Sequence, residues 1–312
     1  MRYILWSGGF DSTYLLCRCA RESEEEIQPI YIIFPEAVAR GSAQMEIEAQ
    51  DTLLTLIKLK DGIKANILKP IRIEEDKLPT RNDFDESYEK MQYDDFISRR
   101  YMYRALGKLT GEYPNLMVGI EAPPERANRG RGSTVETLAK YGIDVLPDGT
   151  VSLQPDGNMD MYNIFKGLKF CMIDTLAEEE LQAFKEWGYE DLVPLCRTCC
   201  TGQRQACGVC AACKTKMECG DVFKRYMPKG YVNYKIKEYV QQFGDVDAYY
   251  FTLFVWGGSK IKTGKFNINI GRQVHDMFIS LSTATKYEAW FNALLDNYPN
   301  FDKVNRADYG IE

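Results

Sequence analysis

A short glycine turn near the amino terminus constrains this chain more than any other feature. Residues 3–6 are apolar and predict a buried strand, and the apolar periodicity of residues 12–20 predicts a helix. Between them runs Ser-Gly-Gly-Phe-Asp-Ser-Thr, residues 7–13. Two glycines allow a tight turn and close approach of the backbone to a ligand, and a helix start presents N–H groups and partial positive charge to an anion. The turn therefore predicts a phosphate site, and a capped turn that binds nothing is the alternative.

Strand and helix patterns alternate along the first 120 residues. Apolar runs predict strands at residues 3–6, 27–35, 65–68 and 115–120, and helical periodicity predicts helices at residues 12–20, 43–58 and 93–109. This alternation is typical of a doubly wound parallel sheet with helices on both faces, so the predicted fold class is α/β. Later in the chain, residues 150–154 predict one arm of a hairpin, residues 177–187 a helix ended by Gly188, and residues 273–281 another helix.

Composition narrows the function classes. The 312 residues carry a net charge of −6 with a pI of about 5.2, so no broad basic face for duplex nucleic acid is expected. No run of about 18 apolar residues occurs, so no membrane span is expected. The opening residues predict a strand and not a signal peptide, which favours the cytoplasm. The single histidine, His275, leaves no second histidine for a triad or a His-rich metal site, and its apolar surroundings predict packing.

Six of the ten cysteines lie between residues 196 and 213. Such clustering in a long chain favours metal binding in a reducing compartment over a disulfide framework. Cys207, Cys210 and Cys213 are spaced three residues apart, with Gly208 and small residues between them, as in a knuckle around tetrahedral Zn²⁺. A fourth thiolate is needed, and the candidates upstream are Cys196, Cys199 and Cys200. An iron–sulfur cluster and free buried cysteines are the alternatives.

Residues 7–13 resemble the SGGxDS signature of the PP-loop ATP pyrophosphatases. The resemblance implies the PP-loop form of the α/β fold, in which the turn holds the β,γ-pyrophosphate of ATP and Mg²⁺ shares the negative charge. A substrate oxygen then attacks the α-phosphorus and becomes adenylated. On this resemblance Ser7, Asp11 and Ser12 are the catalytic candidates. The nucleotide-binding candidates are Ser7, Gly8, Gly9, Phe10, Asp11, Ser12 and Thr13.

The cysteine cluster beside this turn resembles that of the 7-cyano-7-deazaguanine synthases, the QueC family. That family carries a cysteine preceded by serine or threonine, here Thr198-Cys199, and then Cys-Gly-x-Cys-x-x-Cys, here residues 207–213. The resemblance makes Cys199 the fourth zinc ligand, with Cys196 as runner-up, and places Lys216 at the family's basic position. It implies adenylation of the carboxylate of 7-carboxy-7-deazaguanine, with ammonia giving an amide and then a nitrile. Members are often homodimers, which leaves a homodimer open here.

Two departures from the QueC pattern leave the substrate open. Residues 123–132, rich in proline, arginine and glycine, replace the deazaguanine-recognition stretch, and residues 225–312 have no counterpart. One alternative is a phage or antiphage-defence QueC-like enzyme that conjugates a deazaguanine to a protein or supplies a DNA modification. A tRNA thiolase, for which the clustered cysteines supply no catalytic thiolate, and an inactive ATP-binding partner subunit are the others. The substrate-binding candidates are Arg99, Arg100, Gly119, Glu121 and Arg126.

The sequence predicts four segments. They are a PP-loop core at residues 1–122, a variable substrate or lid insertion at 123–170, a helix with the four-cysteine zinc site at 171–224, and a C-terminal extension of unknown role at 225–312. The expected cofactors are ATP, Mg²⁺ and Zn²⁺. The expected partners are a small deazapurine and ammonia, with a protein acceptor as the alternative. Neither a membrane nor direct nucleic-acid binding is expected.

Overall fold

The computed structural model describes residues 1–34, 43–94, 101–120, 138–147, 149–199, 205–218, 223–257, 266–270, 273–277 and 281–312. They form two compact units. Unit 1 comprises residues 1–34 with the described part of Ala43–Arg197, and unit 2 the described part of Thr198–Glu312. The candidates Arg99, Arg100, Glu121 and Arg126 lie outside the described residues. The four-segment division stays a prediction.

Unit 1 is built on a seven-stranded sheet. Its strands are β1 Arg2–Leu5, β2 Ile27–Ile33, β3 Ile71–Glu74, β4 Leu116–Gly119, β5 Ile143–Val145, β6 Val151–Leu153 and β7 Leu168–Cys171. The strand order is β3-β2-β1-β4-β7-β6-β5. The first five strands of that order pair in parallel, whereas β6 and β5 form an antiparallel hairpin at one edge. The predicted α/β class with a mostly parallel sheet is therefore confirmed, and so is the hairpin arm near residue 150.

Helices cover this sheet. In the described part of unit 1 they are α1 Phe10–Glu22, α2 Ala43–Ile57, α3 Asn82–Met91, α4 Tyr101–Leu109, α5 Met159–Phe165 and α6 Ala177–Trp187. Six of the seven residues of β2 are buried, as in a parallel strand covered on both faces. Leu106 of α4, Ile164 of α5 and Phe170 of β7 are fully buried in one hydrophobic core. α6 spans its predicted range and ends at Gly188 in the left-handed conformation, as predicted.

Two sequence predictions for unit 1 need correction. Residues 65–68 do not form a strand: Ile67 makes one parallel bridge to Ile27, and the strand beside β2 is β3. Pro70 separates the two, and proline has no N–H with which to extend a ladder. Of the helix predicted over residues 93–109, the structure describes the helical part α4, Tyr101–Leu109. Helix α3, Asn82–Met91, was not predicted.

Unit 2 is mainly helical in its described part. Its helices are α7 Ala211–Glu218, α8 Pro228–Val240, α9 Asp245–Gly257 and α10 Leu281–Asp296. Strands β8 Phe266–Ile270 and β9 Gln273–Met277 form a two-stranded antiparallel sheet. The helix predicted over residues 273–281 is therefore wrong, and His275 lies in a strand opposite Ile268. Val274, Met277 and Leu281 are spaced as on one face of a helix, but pairing with β8 makes residues 273–277 a strand. None of the described helices is long and apolar enough to cross a membrane.

A buried ion pair connects the end of the chain to the helices of unit 2. Asp247 of α9, 5% exposed, accepts hydrogen bonds from the hydroxyl of Tyr287 and from Nη1 of Arg306 at 2.8 Å. The Arg306 guanidinium carbon lies 5.0 Å from the ring centre of Phe243 and 5.5 Å from that of Trp290. Such cation–π contacts and the ion pair together hold the last residues on α9 and α10.

Arg306→Met should destabilise unit 2, because it leaves the buried Asp247 carboxylate without its cationic partner. Removing one member of a buried pair costs about 3–5 kcal/mol of folding free energy. Because the tyrosine hydroxyl remains, we expect the free energy of unfolding of the full chain, measured in urea, to fall by about 2–3 kcal/mol. The double variant Asp247→Asn with Arg306→Met carries no buried charge and should recover part of this loss. A double variant less stable than Arg306→Met alone would contradict this account.

Candidate functional site

The glycine turn lies at the carboxyl edge of the parallel sheet, where the strand order changes direction. From β1 the chain passes through α1 to β2 on one side, whereas β4 lies on the other side of β1. In open α/β sheets, ligands bind outside the carboxyl ends of the strands at such a switch point. The turn between β1 and α1 is therefore at the position where this kind of sheet binds its ligand.

Three hydrogen bonds among Ser7, Gly9 and Ser12 shape the turn itself. The amide of Gly9 donates to the hydroxyl of Ser7 at 3.2 Å, and the Ser7 and Ser12 hydroxyl oxygens are 3.3 Å apart. The Ser12 hydroxyl donates to the carbonyl of Gly9 at 3.2 Å. Gly9 is the N-cap of α1, and no side chain caps this helix. Two half-buried hydroxyls thus stand together at a helix start, where partial positive charge favours an anion.

Gly8 is required by its conformation and by its neighbours. Its φ of +73° is in the left-handed region, which favours glycine, and a Cβ there would lie 3.3 Å from Cγ of Gln50. Its carbonyl accepts from the amide of Arg197 at 2.8 Å. The carbonyl oxygen of Arg197 lies 3.3 Å from the place that a Cβ on Gly9 would occupy. The backbone of Arg197 therefore lies beside the turn, although 188 positions separate it in sequence from Gly9. No motif in the sequence identified this contact.

A buried glutamine from α2 holds the end of β1 in place. Gln50 is fully buried, and its amide donates to the carbonyl of Trp6 at 2.9 Å while its oxygen accepts from Nε of Arg72 at 3.2 Å. One turn earlier, Glu46 accepts from the hydroxyl of Tyr31 at 2.7 Å. Burial, followed by the Glu46 carboxylate, raises the pKa of Tyr31, so this phenol stays protonated and remains a donor. The helical pattern predicted α2 but not these polar contacts.

Two of the seven predicted nucleotide-binding residues direct their side chains into the protein core. The hydroxyl of Thr13 is fully buried and accepts from Nε1 of Trp6 at 3.0 Å. The ring of Phe10 is 2% exposed and lies 5.5 Å from the ring of Phe184 in α6. In this structure both side chains serve packing and hydrogen bonding inside unit 1. Only the main-chain atoms of these two residues are available to a ligand at the turn.

Gly119, one of the substrate-binding candidates, lies against the start of α1. It ends β4, and a Cβ there would be 3.4 Å from the carbonyl oxygen of Asp11 and 3.5 Å from the sulfur of Met172. Met172 follows β7 and has a φ of +67°, a left-handed conformation that is uncommon for a non-glycine residue and concentrates at functional sites. Asp11, Gly119 and Met172 therefore meet at the carboxyl edge. The sequence carries no signal for Met172.

Four cysteines of unit 2 come together. The sulfur atoms of Cys199, Cys207, Cys210 and Cys213 all lie within 4.8 Å of one another, and all four residues are buried. The amide of Cys210 donates to the sulfur of Cys207 at 3.3 Å, and the sulfurs of Cys207 and Cys213 are 4.0 Å apart. These are the four cysteines named from the sequence. Cys196 belongs to unit 1, where its thiol donates to the carbonyl of Leu192 at 3.3 Å.

The thiols of this cluster cannot all ionise by themselves. A hydrogen bond from Cys207 lowers the pKa of Cys199 to about 6, whereas hydrogen bonding to Cys199 raises the pKa of Cys207 and that of Cys213. One thiolate is thus stabilised at the cost of its neighbours, because like charges at this distance repel. A cation among the sulfurs removes this conflict, since metals bind cysteine as thiolate. The donor set and its burial fit a metal.

No protein-family model matches the sequence, and no curated protein matches it. Among solved structures, the U34-tRNA thiolase NcsA from Methanococcus maripaludis, with its 4Fe-4S cluster, is similar at 13% identity and a TM-score of 0.33. The match covers 88% of this chain and 77% of the thiolase chain. A likeness at this level assigns neither activity nor metal.

Thr13→Val tests whether this motif residue is structural. Valine keeps the shape but removes the oxygen that accepts from Trp6, and an unsatisfied buried N–H costs about 1–3 kcal/mol. We therefore expect a loss of that size in urea unfolding. Thr13→Ser keeps the acceptor and should lose less than half as much. Equal losses for the two variants, or none for valine, would show that the hydrogen bond contributes nothing.

Proposed function

We propose that this chain is an enzyme that cleaves ATP to AMP and pyrophosphate at the glycine turn. The observation that carries the proposal is the position of residues 7–13 at the carboxyl edge of the sheet, at the switch point, with two adjacent serine hydroxyls at a helix start. The likeness of this string to the PP-loop signature supports the choice of ATP. No Gly-Lys-Ser/Thr follows the turn, so transfer of the γ-phosphoryl group by a Walker-type loop is not favoured.

The hydroxyls, the backbone amides and the carboxylate of the turn have separate tasks in this proposal. Ser7 and Ser12 exchange their hydrogen bonds with each other and with the Gly9 backbone, each longer than 3.1 Å, for bonds to the departing pyrophosphate. The backbone amides at the start of α1 stabilise the same negative charge. Asp11, half-buried beside them, would help to hold Mg²⁺, which shares the charge of the phosphates. Catalysis consists of positioning and charge stabilisation, and no histidine base takes part.

We propose a 7-deazaguanine carboxylate as the substrate, on the strength of the QueC-like cysteine pattern in the same chain. A carboxylate oxygen bonds to the α-phosphorus while the bond from that phosphorus to the bridging oxygen breaks, and pyrophosphate leaves with the electron pair. Ammonia then bonds to the acyl carbon, AMP leaves and a proton is released, which gives the amide. A second adenylation, on the amide oxygen, leads to the nitrile. A protein amine in place of ammonia would give a conjugate.

We propose zinc for the four-cysteine site, because the spacing of the sulfurs suits a single ion. Zn–S bonds of about 2.3 Å place the sulfurs of a tetrahedron about 3.8 Å apart. The sulfurs here lie within 4.8 Å of one another, with one pair at 4.0 Å. In a 4Fe-4S cluster each cysteine binds a different iron, which spreads the sulfurs farther apart. Four thiolates fill the shell of zinc and leave no open position, so the ion would stabilise the fold.

Turnover with ATP and Mg²⁺ should produce AMP and pyrophosphate. Ser12→Ala should reduce it at least about 100-fold, the size of losing one aligned donor to a transition state, and Asp11→Ala should reduce it at least as much, because the metal loses a ligand. Thr52→Ala is the matched control, since Thr52 is exposed on α2. All three variants should unfold at nearly the same urea concentration as the parent chain. ADP and phosphate as the main products would overturn the proposed class of reaction.

The substrate is tested by mass spectrometry of products after incubation with ATP, Mg²⁺, ammonia and 7-carboxy-7-deazaguanine. Amide and nitrile masses are expected, and a mass increase of the protein itself would favour the conjugating alternative. AMP formation without any deazaguanine product would remove the substrate but keep the nucleotide chemistry. No AMP with any substrate would favour an inactive partner subunit.

Cys210→Ser and Cys213→Ser should each lower zinc content and solubility together. Metal binding in such sites contributes on the order of 10 kcal/mol to folding, because the ligands are brought together only in the folded state. The parent chain should contain about one zinc and show no visible absorption. Cys196→Ser, outside the cluster, should keep its zinc. Loss of zinc from Cys196→Ser, or a brown parent protein with iron and acid-labile sulfide, would contradict the assignment of zinc to these four cysteines.

A further inference from the structure

One face of helix α8 covers the cysteine segment. Three of its residues, Gly230, Asn233 and Lys237, contact residues 207–209, and their spacing of three and then four places them on one side of the helix. All of these residues belong to unit 2. The helix lies in the C-terminal region for which the sequence suggested no role. Its contacts point to a role at the metal site.

The first two contacts fix the backbone of the knuckle. Gly208 has a φ of +77°, and a Cβ there would lie 1.9 Å from the carbonyl oxygen of Gly230, so only glycine fits against the helix. The side-chain amide of Asn233, 3% exposed, donates to the carbonyl of Cys207 at 2.9 Å. These contacts fix the orientation of the backbone at residues 207 and 208. Pre-orientation of ligands by such neighbours is typical of metal sites in proteins.

The third contact brings a positive charge. Nζ of Lys237 donates to the carbonyl of Val209 at 3.3 Å, between the two ligands Cys207 and Cys210. Lys237 is partly buried, and among the described residues no carboxylate lies within ion-pair distance of it. The neighbouring Lys214 differs, since it pairs with Glu218 at 3.2 Å. The Lys237 charge is therefore available to the cluster.

Such a charge matters because of where the four sulfurs lie. Zinc with four thiolates carries a net charge of −2, and here the cysteines lie in the same hydrophobic core as Phe251 and Trp290. A net charge in apolar surroundings is costly unless a counter-charge is close. We propose that Lys237 is a positioning residue that compensates the charge of the four-cysteine site, and that the inner face of α8 is the scaffold of that site.

Zinc affinity of the reduced full-length chain, measured by competition with a chromogenic chelator, tests the proposal. Lys237→Met should raise the dissociation constant about 10- to 100-fold, the usual effect of losing a residue behind the ligands. Lys237→Arg keeps the charge and should stay close to the parent value. Lys229→Met removes the same charge from an exposed position of α8 and should change nothing. If Lys237→Met is insoluble, Lys237→Gln keeps an N–H donor without the charge and should show the same loss.

A second readout separates charge compensation from ordinary packing. Urea unfolding in chelator-buffered zinc should show little difference between the parent and Lys237→Met at the lowest free zinc at which both chains stay soluble, and a larger difference as free zinc rises. Equal destabilisation at every free zinc concentration, at unchanged zinc affinity, would make Lys237 a packing residue and overturn the proposal. An equal loss of affinity in Lys229→Met, or a parent chain that binds no zinc, would overturn it as well. No nucleotide is present, so failure here is distinct from failure of the proposed ATP chemistry.

Discussion

Parallel pairing of β1 with both β2 and β4 determines where chemistry can occur in unit 1. Because parallel strands point the same way, the segments that follow β1, β4 and β7 all emerge at one edge of the sheet. At this edge Gly119 ends β4, and a Cβ on it would lie 3.4 Å from the carbonyl oxygen of Asp11. The sulfur of Met172 lies close to the same Cβ position. The hairpin of β5 and β6 extends the sheet without altering this edge. The turn therefore lies among several segments that are distant in sequence.

The polar groups at the turn fall into two classes, those whose hydrogen bonds are buried and those that are half-buried. Trp6 uses both its indole N–H, donated to Thr13, and its carbonyl, which accepts from Gln50. These bonds are buried, so they are costly to break and they hold the backbone of the turn rigidly. Ser7 and Ser12 are half-buried, with bonds of 3.2–3.3 Å that a stronger acceptor can replace. A rigid support beneath adaptable hydroxyls is the arrangement that preorganised binding of phosphate requires.

The sequence predicts those parts of this protein that local patterns determine. Strand and helix alternation predicts the parallel sheet, and α6 with Gly188 is predicted to the residue. The four cysteines also follow from their spacing and from the resemblance to QueC. By contrast, the bond between the amide of Arg197 and the carbonyl of Gly8 joins residues far apart in the chain, and no periodicity encodes it. Strand β9 lies in the stretch predicted as helix, residues 273–281, because local spacing fits a helix there and only its pairing with β8 shows that it is a strand.

Unit 2 joins a metal-binding cluster and an aromatic core that the sequence placed in separate segments. Trp290, Phe291 and Phe251 lie in the same buried cluster as Cys207 and Cys213. The sulfurs are therefore part of the core, and without a cation this core contains thiols whose ionisation is mutually opposed. The helices in turn depend on the cysteines, since α8 packs its Gly230 carbonyl directly on Gly208. The four cysteines thus share one buried core with the helices that the Asp247–Arg306 pair holds, and removal of the chain beyond α7 would expose the cysteines themselves.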